Sequence, residues 1–176
     1  MRYTCLMLVL AFGVQSDPTS AQPEPDRAAM ADSVLAALVE IPVGIRVVHS
    51  PDPVAATETS TGRWHYTWKY NTTVSAIDAD VTIVEFGVLH NAGDQWTYSA
   101  MNGHPYSPKE FEEWYGCTGA VLFKGVPCSD PSNFSASTCL REGKSLWYFI
   151  GQTATGQRVK GAAEVAQRAE VAHVVK

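Results

Sequence analysis

The chain has 176 residues, a formal charge of −5, 18% charged residues and 45% apolar ones. That length corresponds to one domain. It can bury roughly 70% of its unfolded surface in a core that needs no help from a metal, and the composition excludes a disordered chain. The acidic balance, without a local cluster of Lys and Arg, argues against nucleic acid or an anionic lipid surface as a partner, because both select basic patches.

Residues 1–21 read as a secretory signal peptide. Arg2 supplies the positive start, residues 5–14 are apolar without a break, and Ala21 ends a small-residue stretch suited to cleavage, with Ser16 as a second cleavage point. An apolar run of that length is too short for a membrane-spanning helix, which takes about 20 residues. Cys5 sits too early for a lipid-anchoring cysteine. The expectation is an exported protein, secreted or periplasmic, without a stable membrane anchor.

Export places Cys117, Cys128 and Cys139 in an oxidising compartment, where disulfides persist. Three cysteines give one bridge from three possible pairings. Cys128 with Cys139 is the expected pair, because it would close a loop of Ser, Asp, Pro and Asn and stabilise it by about 2–3 kcal/mol. Cys117 is then left over, buried as a small hydrophobe or bonded to another chain.

Residues 22–62 form an N-terminal segment. Asp26 is placed to cap a helix in which Met30, Val34 and Leu38 recur at i, i+4 and i+8, and Pro42 ends it. Residues 43–48 read as a strand, and residues 50–62, rich in Pro, Ser and Thr, as a connecting loop. Residues 63–166 are the core of the domain. Trp64, Tyr66, Trp68 and Tyr70 alternate with Arg63, His65, Thr67 and Lys69, which gives a strand with one aromatic face.

Residues 80–89 form an apolar strand, joined by the Gly-containing link 90–94 to a hairpin partner at 95–101. Ser107 and Glu110 have the spacing of a capping box, Pro108 fits the first helical position and Gly116 the stop, so a helix is expected over residues 108–115. A short strand at 120–124, a long loop at 125–142, a buried block at 145–150 and a returning strand at 158–165 complete the core. Residues 167–176 are a C-terminal tail, a frayed strand or an Ala-rich helix. The pattern predicts a mainly β fold: an antiparallel β-sandwich of immunoglobulin or cupredoxin type, with about seven strands and one or two short helices.

The aromatic stripe could stack on sugar rings, but four exposed rings would exceed the apolar patch a monomer tolerates, so it reads as core. Trp96, His104, Tyr106 and Trp114, near loops, are the expected ligand-contacting residues. Glu85 interrupts an apolar strand and is expected to point outward. Asp78 and Asp80 fit turn chemistry better than a calcium site, which needs six to eight oxygens. No Gly-x-Ser-x-Gly elbow, phosphate loop or short-spaced His pair occurs, and no His follows Cys117 as a blue-copper loop requires. Asn71 and Asn133 head glycan-acceptor triplets.

The leading expectation is therefore a non-catalytic binding module that meets an extracellular ligand or protein through its inter-strand loops, with no catalytic residues and no cofactor. The contact surface is expected at residues 90–94, 102–107 and 128–139. An alternative is a copper, zinc or iron protein or enzyme that gathers His65, His90 and His104. A second alternative is an assembly subunit that completes a partner through a sheet edge.

Overall fold

Alternation along one strand orients the whole sheet. β3 (Tyr66–Ala76) buries Trp68, Tyr70, Thr72, Val74 and Ala76 on one face and leaves Lys69 in solvent on the other. The computed structural model describes residues 26–59, 62–91, 93, 95–100 and 103–172; the predicted leader lies outside them. Of the aromatic stripe, Trp68 and Tyr70 are core residues, Tyr66 is half-buried, and Trp64, ahead of the strand, is 39% exposed.

Two helices form where their caps predict. α1 (Arg27–Glu40) starts at Asp26, whose carboxylate accepts from the backbone N–H of Ala28 and Ala29. α2 (Pro108–Tyr115) has the reciprocal Ser107–Glu110 capping box and stops at Gly116 in the left-handed region.

The other strands are β1 (Ile45–Ser50), β2 (Val54–Glu58), β4 (Val81–Asn91), β5 (Trp96–Tyr98), β6 (Val121–Leu122), β7 (Cys128–Ser137), β8 (Gly143–Thr153) and β9 (Arg158–Val171). They form a nine-stranded sheet in the order β1-β3-β2-β9-β8-β4-β5, with β6 on β4 and β7 on β3. The mainly β class is the expected one. The sheet is mixed, because β2 runs parallel to β9 while every other paired strand is antiparallel, and it is not closed.

β2 is the corner shared by two arms, β7-β3-β1 and β9-β8-β4. The arms face each other: Trp147 on β8 bonds Tyr70 on β3, and His49 on β1 bonds Ala163 on β9. Gly161 lets β1 lie tightly on β9, since a Cβ there would fall 2.6 Å from the Ile45 carbonyl oxygen. On the opposite, unclosed side α2 touches both β4 and β7. It inserts Phe111 and Tyr115 beside Phe86 and Phe149. α1 contacts β5, and its last turn accepts a hydrogen bond from Lys160 of β9, so it covers the outer face of that arm.

Two segments depart from the sequence expectation. β2 lies inside the predicted loop 50–62 and β7 inside the predicted loop 125–142, while β9 continues to Val171, which takes the strand alternative for the start of the tail 167–176. β7 escaped because its inward residues, among them Asp130 and Asn133, are polar; Asp130 accepts from the Ser132 backbone N–H and Asn133 donates to the buried Thr72. Its Pro131 sits where the register against β3 shifts, a position in which an edge strand tolerates proline.

β7 also corrects the disulfide. Cys128 opens a ten-residue strand and Cys139 lies just past its far end; the strand alone spans about 30 Å at roughly 3.3 Å per residue, far beyond bridging distance. The bond joins Cys117 to Cys128 instead, with Cα atoms 6.0 Å apart, and ties the exit of α2 to the start of β7. Cys117 is therefore not left over, and Cys139 is not a free thiol either.

Trp68 is fully buried and its indole N–H donates to the Arg168 carbonyl at 2.9 Å. Trp68→Ala is expected to lower stability by about 3–5 kcal/mol, whereas Trp64→Ala changes it by less than about 0.5 kcal/mol. Urea denaturation of the two variants checks the difference.

Candidate functional site

Strand alternation carries a row of polar side chains into the space between the arms, and their hydrogen bonds can be followed in order. His49 Nε2 lies 3.1 Å from the Ala163 carbonyl oxygen, which only accepts, so this nitrogen bears the proton. His49 Nδ1 then accepts from the Thr72 hydroxyl at 3.0 Å. Thr72 Oγ1 accepts in turn from Asn133 Nδ2 at 2.9 Å, and the same amide donates to the Tyr115 hydroxyl at 3.2 Å. Burial holds the His49 pKa below the usual imidazole value, in keeping with a neutral ring. This half of the seam is complete.

The second half starts at the Tyr70 hydroxyl, which accepts from Trp147 Nε1 at 2.8 Å and faces Ser135 and Ser145. Those two hydroxyls are 3.0 Å apart. Gln167 Nε2 donates to each of them at 2.8 Å. Ser145 Oγ lies 3.3 Å from His90 Nδ1.

Here the chain of partners stops. His90 Nε2, Arg141 Nη1 and Gln167 Oε1 are buried atoms with no hydrogen-bond partner among the described residues. Two further buried hydroxyls, those of Tyr98 and Tyr148, are also unpartnered but interact with each other, a pair that completes itself once one hydroxyl rotates.

Two of the three atoms, Arg141 Nη1 and Gln167 Oε1, lie close together beside Gly143, where no larger residue fits. A Cβ on Gly143 would sit 3.1 Å from Gln167 Oε1, 3.2 Å from Arg141 Nη1 and 2.9 Å from the Asn91 carbonyl oxygen. His90 lies beside it on the same inner face, paired with Ser145 two residues along β8. Arg141 donates through Nε to Ser137 Oγ at 3.3 Å and has no carboxylate partner among the described residues. Burial lowers the Arg141 pKa. Burial first, and the Arg141 charge second, push that of His90 down to about 4. Gln167 is 3% exposed, while His90, Ser135, Arg141 and Gly143 are half-buried, so this end of the seam lies near the surface.

Chemically, Ser145 with His90 is the nearest approach to a nucleophile and its base. Ser145 is 1% exposed, already accepts from Gln167, and no carboxylate among the described residues bonds the imidazole. The guanidinium beside His90 opposes the imidazolium that a general-base step would form.

The histidines of the metal alternative are not brought together. His65 is exposed just before β3, His90 lies in the seam, and His104 is exposed with Nδ1 donating to the Pro105 carbonyl at 2.9 Å. Among the described residues no three His, Cys, Asp or Glu side chains gather into a metal-holding group. Of the expected ligand contacts, Tyr106 is buried and bridges to Phe86, and Trp114 packs 4.6 Å from Tyr106 and 5.4 Å from Phe86. Trp96 is half-buried on β5 and His104 stands in solvent. Asn133, which heads one glycan triplet, is a buried hub of the seam.

A separate open depression of about 410 Å³ is lined by Glu58, Thr59, His65 and Tyr66, and none of these has an unpartnered buried atom. The sequence reading missed Arg141, Gly143, Ser145 and Gln167, and took in Ser135 only as part of the expected contact segment 128–139. The one available signal was parity: Ser145 shares a face with Trp147 and Phe149, so a hydroxyl had to enter the core. Comparison of the chain with protein-family models, with curated proteins and with solved structures finds no match.

The low folded pKa of His90 sets a pH dependence. The unfolded chain takes up the proton near pH 6.5, the folded one only near pH 4. The stabilisation is therefore complete above about pH 6.5 and is lost as pH falls toward 4, by up to about 3 kcal/mol. Denaturation midpoints at pH 7.5 and 4.5 should fall less in His90→Gln than in the parent chain; equal falls contradict the placement of His90.

Proposed function

We propose that the protein is an exported, non-catalytic binding module whose ligand is met at the surface over the end of the interlayer seam, around the β7–β8 link that carries Arg141 and Gly143. One observation carries this reading. In a seam whose other polar groups are matched, His90 Nε2, Arg141 Nη1 and Gln167 Oε1 are buried at this end without a hydrogen-bond partner among the described residues. Leaving a buried donor or acceptor unmatched costs about 1–3 kcal/mol, so a cluster of such atoms is best accounted for by a group from outside the chain that completes them.

Export is supported by the leader-like residues 1–21 and by the Cys117–Cys128 bond, which suits an oxidising compartment. Among the described residues no helix is long and apolar enough to cross a membrane. The acidic charge favours a ligand other than nucleic acid. The assembly reading has a weaker basis: β7 pairs on one side only, but Pro131 and the register shift interrupt the edge that a partner strand would need.

The reading is tested by titrating isotope-labelled protein with a panel of glycolate, inorganic phosphate, ethylene glycol, glucose and glycylglycine. Saturable amide shifts confined to residues 90–91, 135–145 and 165–168, with every compound recovered unchanged, are expected. Shifts that avoid this end, or conversion of any compound, contradict the reading.

A further inference from the structure

We propose that His90 is the acid trigger of a latch: when its ring takes a second proton, the β7–β8 link (residues 138–142) lifts Arg141 off the end of the seam while the two arms stay folded. The argument starts from hydrogen-bond capacity. Neutral His90 is matched at one nitrogen, where Nδ1 lies 3.3 Å from Ser145 Oγ. An imidazolium carries a donor on both nitrogens and needs two acceptors. Nε2 is buried without a partner among the described residues, so in the closed form the second acceptor is missing.

Charge adds to that deficit. Arg141, on the link, is the charged group among the described residues that bears on His90, and it has the same sign as the imidazolium. The other elements around His90 bring neutral groups. Thr97 of β5 donates to the His90 carbonyl oxygen, and β7, β8 and β9 supply Ser135, Ser145 and Gln167. The nearby ions are engaged elsewhere or stand in solvent: Lys144 pairs with Glu164, Arg168 pairs with Glu170, and Glu142 is exposed. Two cations side by side and partly out of water, with no carboxylate between them, make the closed form resist the proton.

Which element yields is decided by attachment. β4, β8 and β9 are bonded to one another along their lengths. The link lies outside those ladders and is clasped by Ser137, whose hydroxyl accepts from the Cys139 backbone N–H at 3.1 Å and from Arg141 Nε at 3.3 Å. Lifting the link carries the guanidinium into water and gives Nε2 water as its acceptor, so one motion answers both deficits. Where the ligand is met around this link, the site is held at neutral pH and released in acid; that consequence alone rests on the binding-module reading.

Native-state hydrogen exchange of the full, oxidised chain, resolved by amide and corrected for intrinsic rates, tests the latch at pH 7 and pH 5. The reporters are the Cys139 and Gly143 amides for the link and those of Tyr70 and Trp147 for the arms. Link opening is expected to rise about twentyfold between the two pH values, the ratio set by a His90 pKa of about 4 when closed and about 6.5 when open. At both pH values the link amides should exchange at least about tenfold faster than the arm amides and be insensitive to low urea, as a local opening is. In His90→Gln the rise should shrink to within about twofold. Ser137→Ala, which removes the clasp, should speed link exchange at both pH values and keep the ratio; its melting temperature reports whether it is folded.

Link exchange that stays flat with pH, that rises equally in His90→Gln, or that matches the arm amides in rate and urea dependence overturns the latch. None of these outcomes bears on whether the link meets a ligand, which the titration panel decides separately.

Discussion

The arrangement depends on one buried contact, the indole N–H of Trp147 donating to the hydroxyl of Tyr70. Both side chains are needed as bulk, since aromatic rings supply much of the apolar burial between the arms. Both also bring a polar atom into a space without water, where an unmatched donor is costly. Matching them to each other fixes how far apart β3 and β8 lie and in what register. Trp68 does the same one step along β3, reaching the Arg168 carbonyl of β9. The arms are thus located by hydrogen bonds at ring edges as well as by packing.

Once that register is set, the neighbours follow. Tyr70 has to donate onward, and Ser135 and Ser145 stand beside it; Gln167 binds both serines and turns its carbonyl oxygen outward. The seam is saturated at His49, Thr72 and Asn133, where α2 seals the gap with Tyr115. It is unsaturated where the β7–β8 link passes over it, because residue 143 is glycine and residue 141 a cation without a carboxylate partner among the described residues. The unmatched atoms therefore belong to the same network that aligns the arms.

What the sequence displayed follows from this division. Helix caps are local chemistry, so Asp26, Ser107, Glu110 and Gly116 marked their helices correctly. Trp68 and Tyr70 announced an inward face through alternation alone. β7 and the end of β9 carried no such mark, because their inner positions hold Asp130, Asn133, Ser135 and Gln167, which hydropathy assigns to solvent. The residues that make the candidate site lie in those same segments, and so did the error over the disulfide. Of the site, only His90 was singled out from sequence, as a metal ligand and not as the terminus of a hydrogen-bond chain. Polar residues become interior only when a partner arrives from a distant strand, and sequence periodicity does not carry that information.

The most direct measurement of this account is the urea-denaturation midpoint of Tyr70→Phe, which keeps the ring and removes only the hydroxyl. A loss of about 1–3 kcal/mol is predicted, since Trp147 would be left as a buried donor without an acceptor. A variant within about 0.5 kcal/mol of the parent chain, or more stable than it, would contradict the claim that hydrogen bonds across the seam align the two arms.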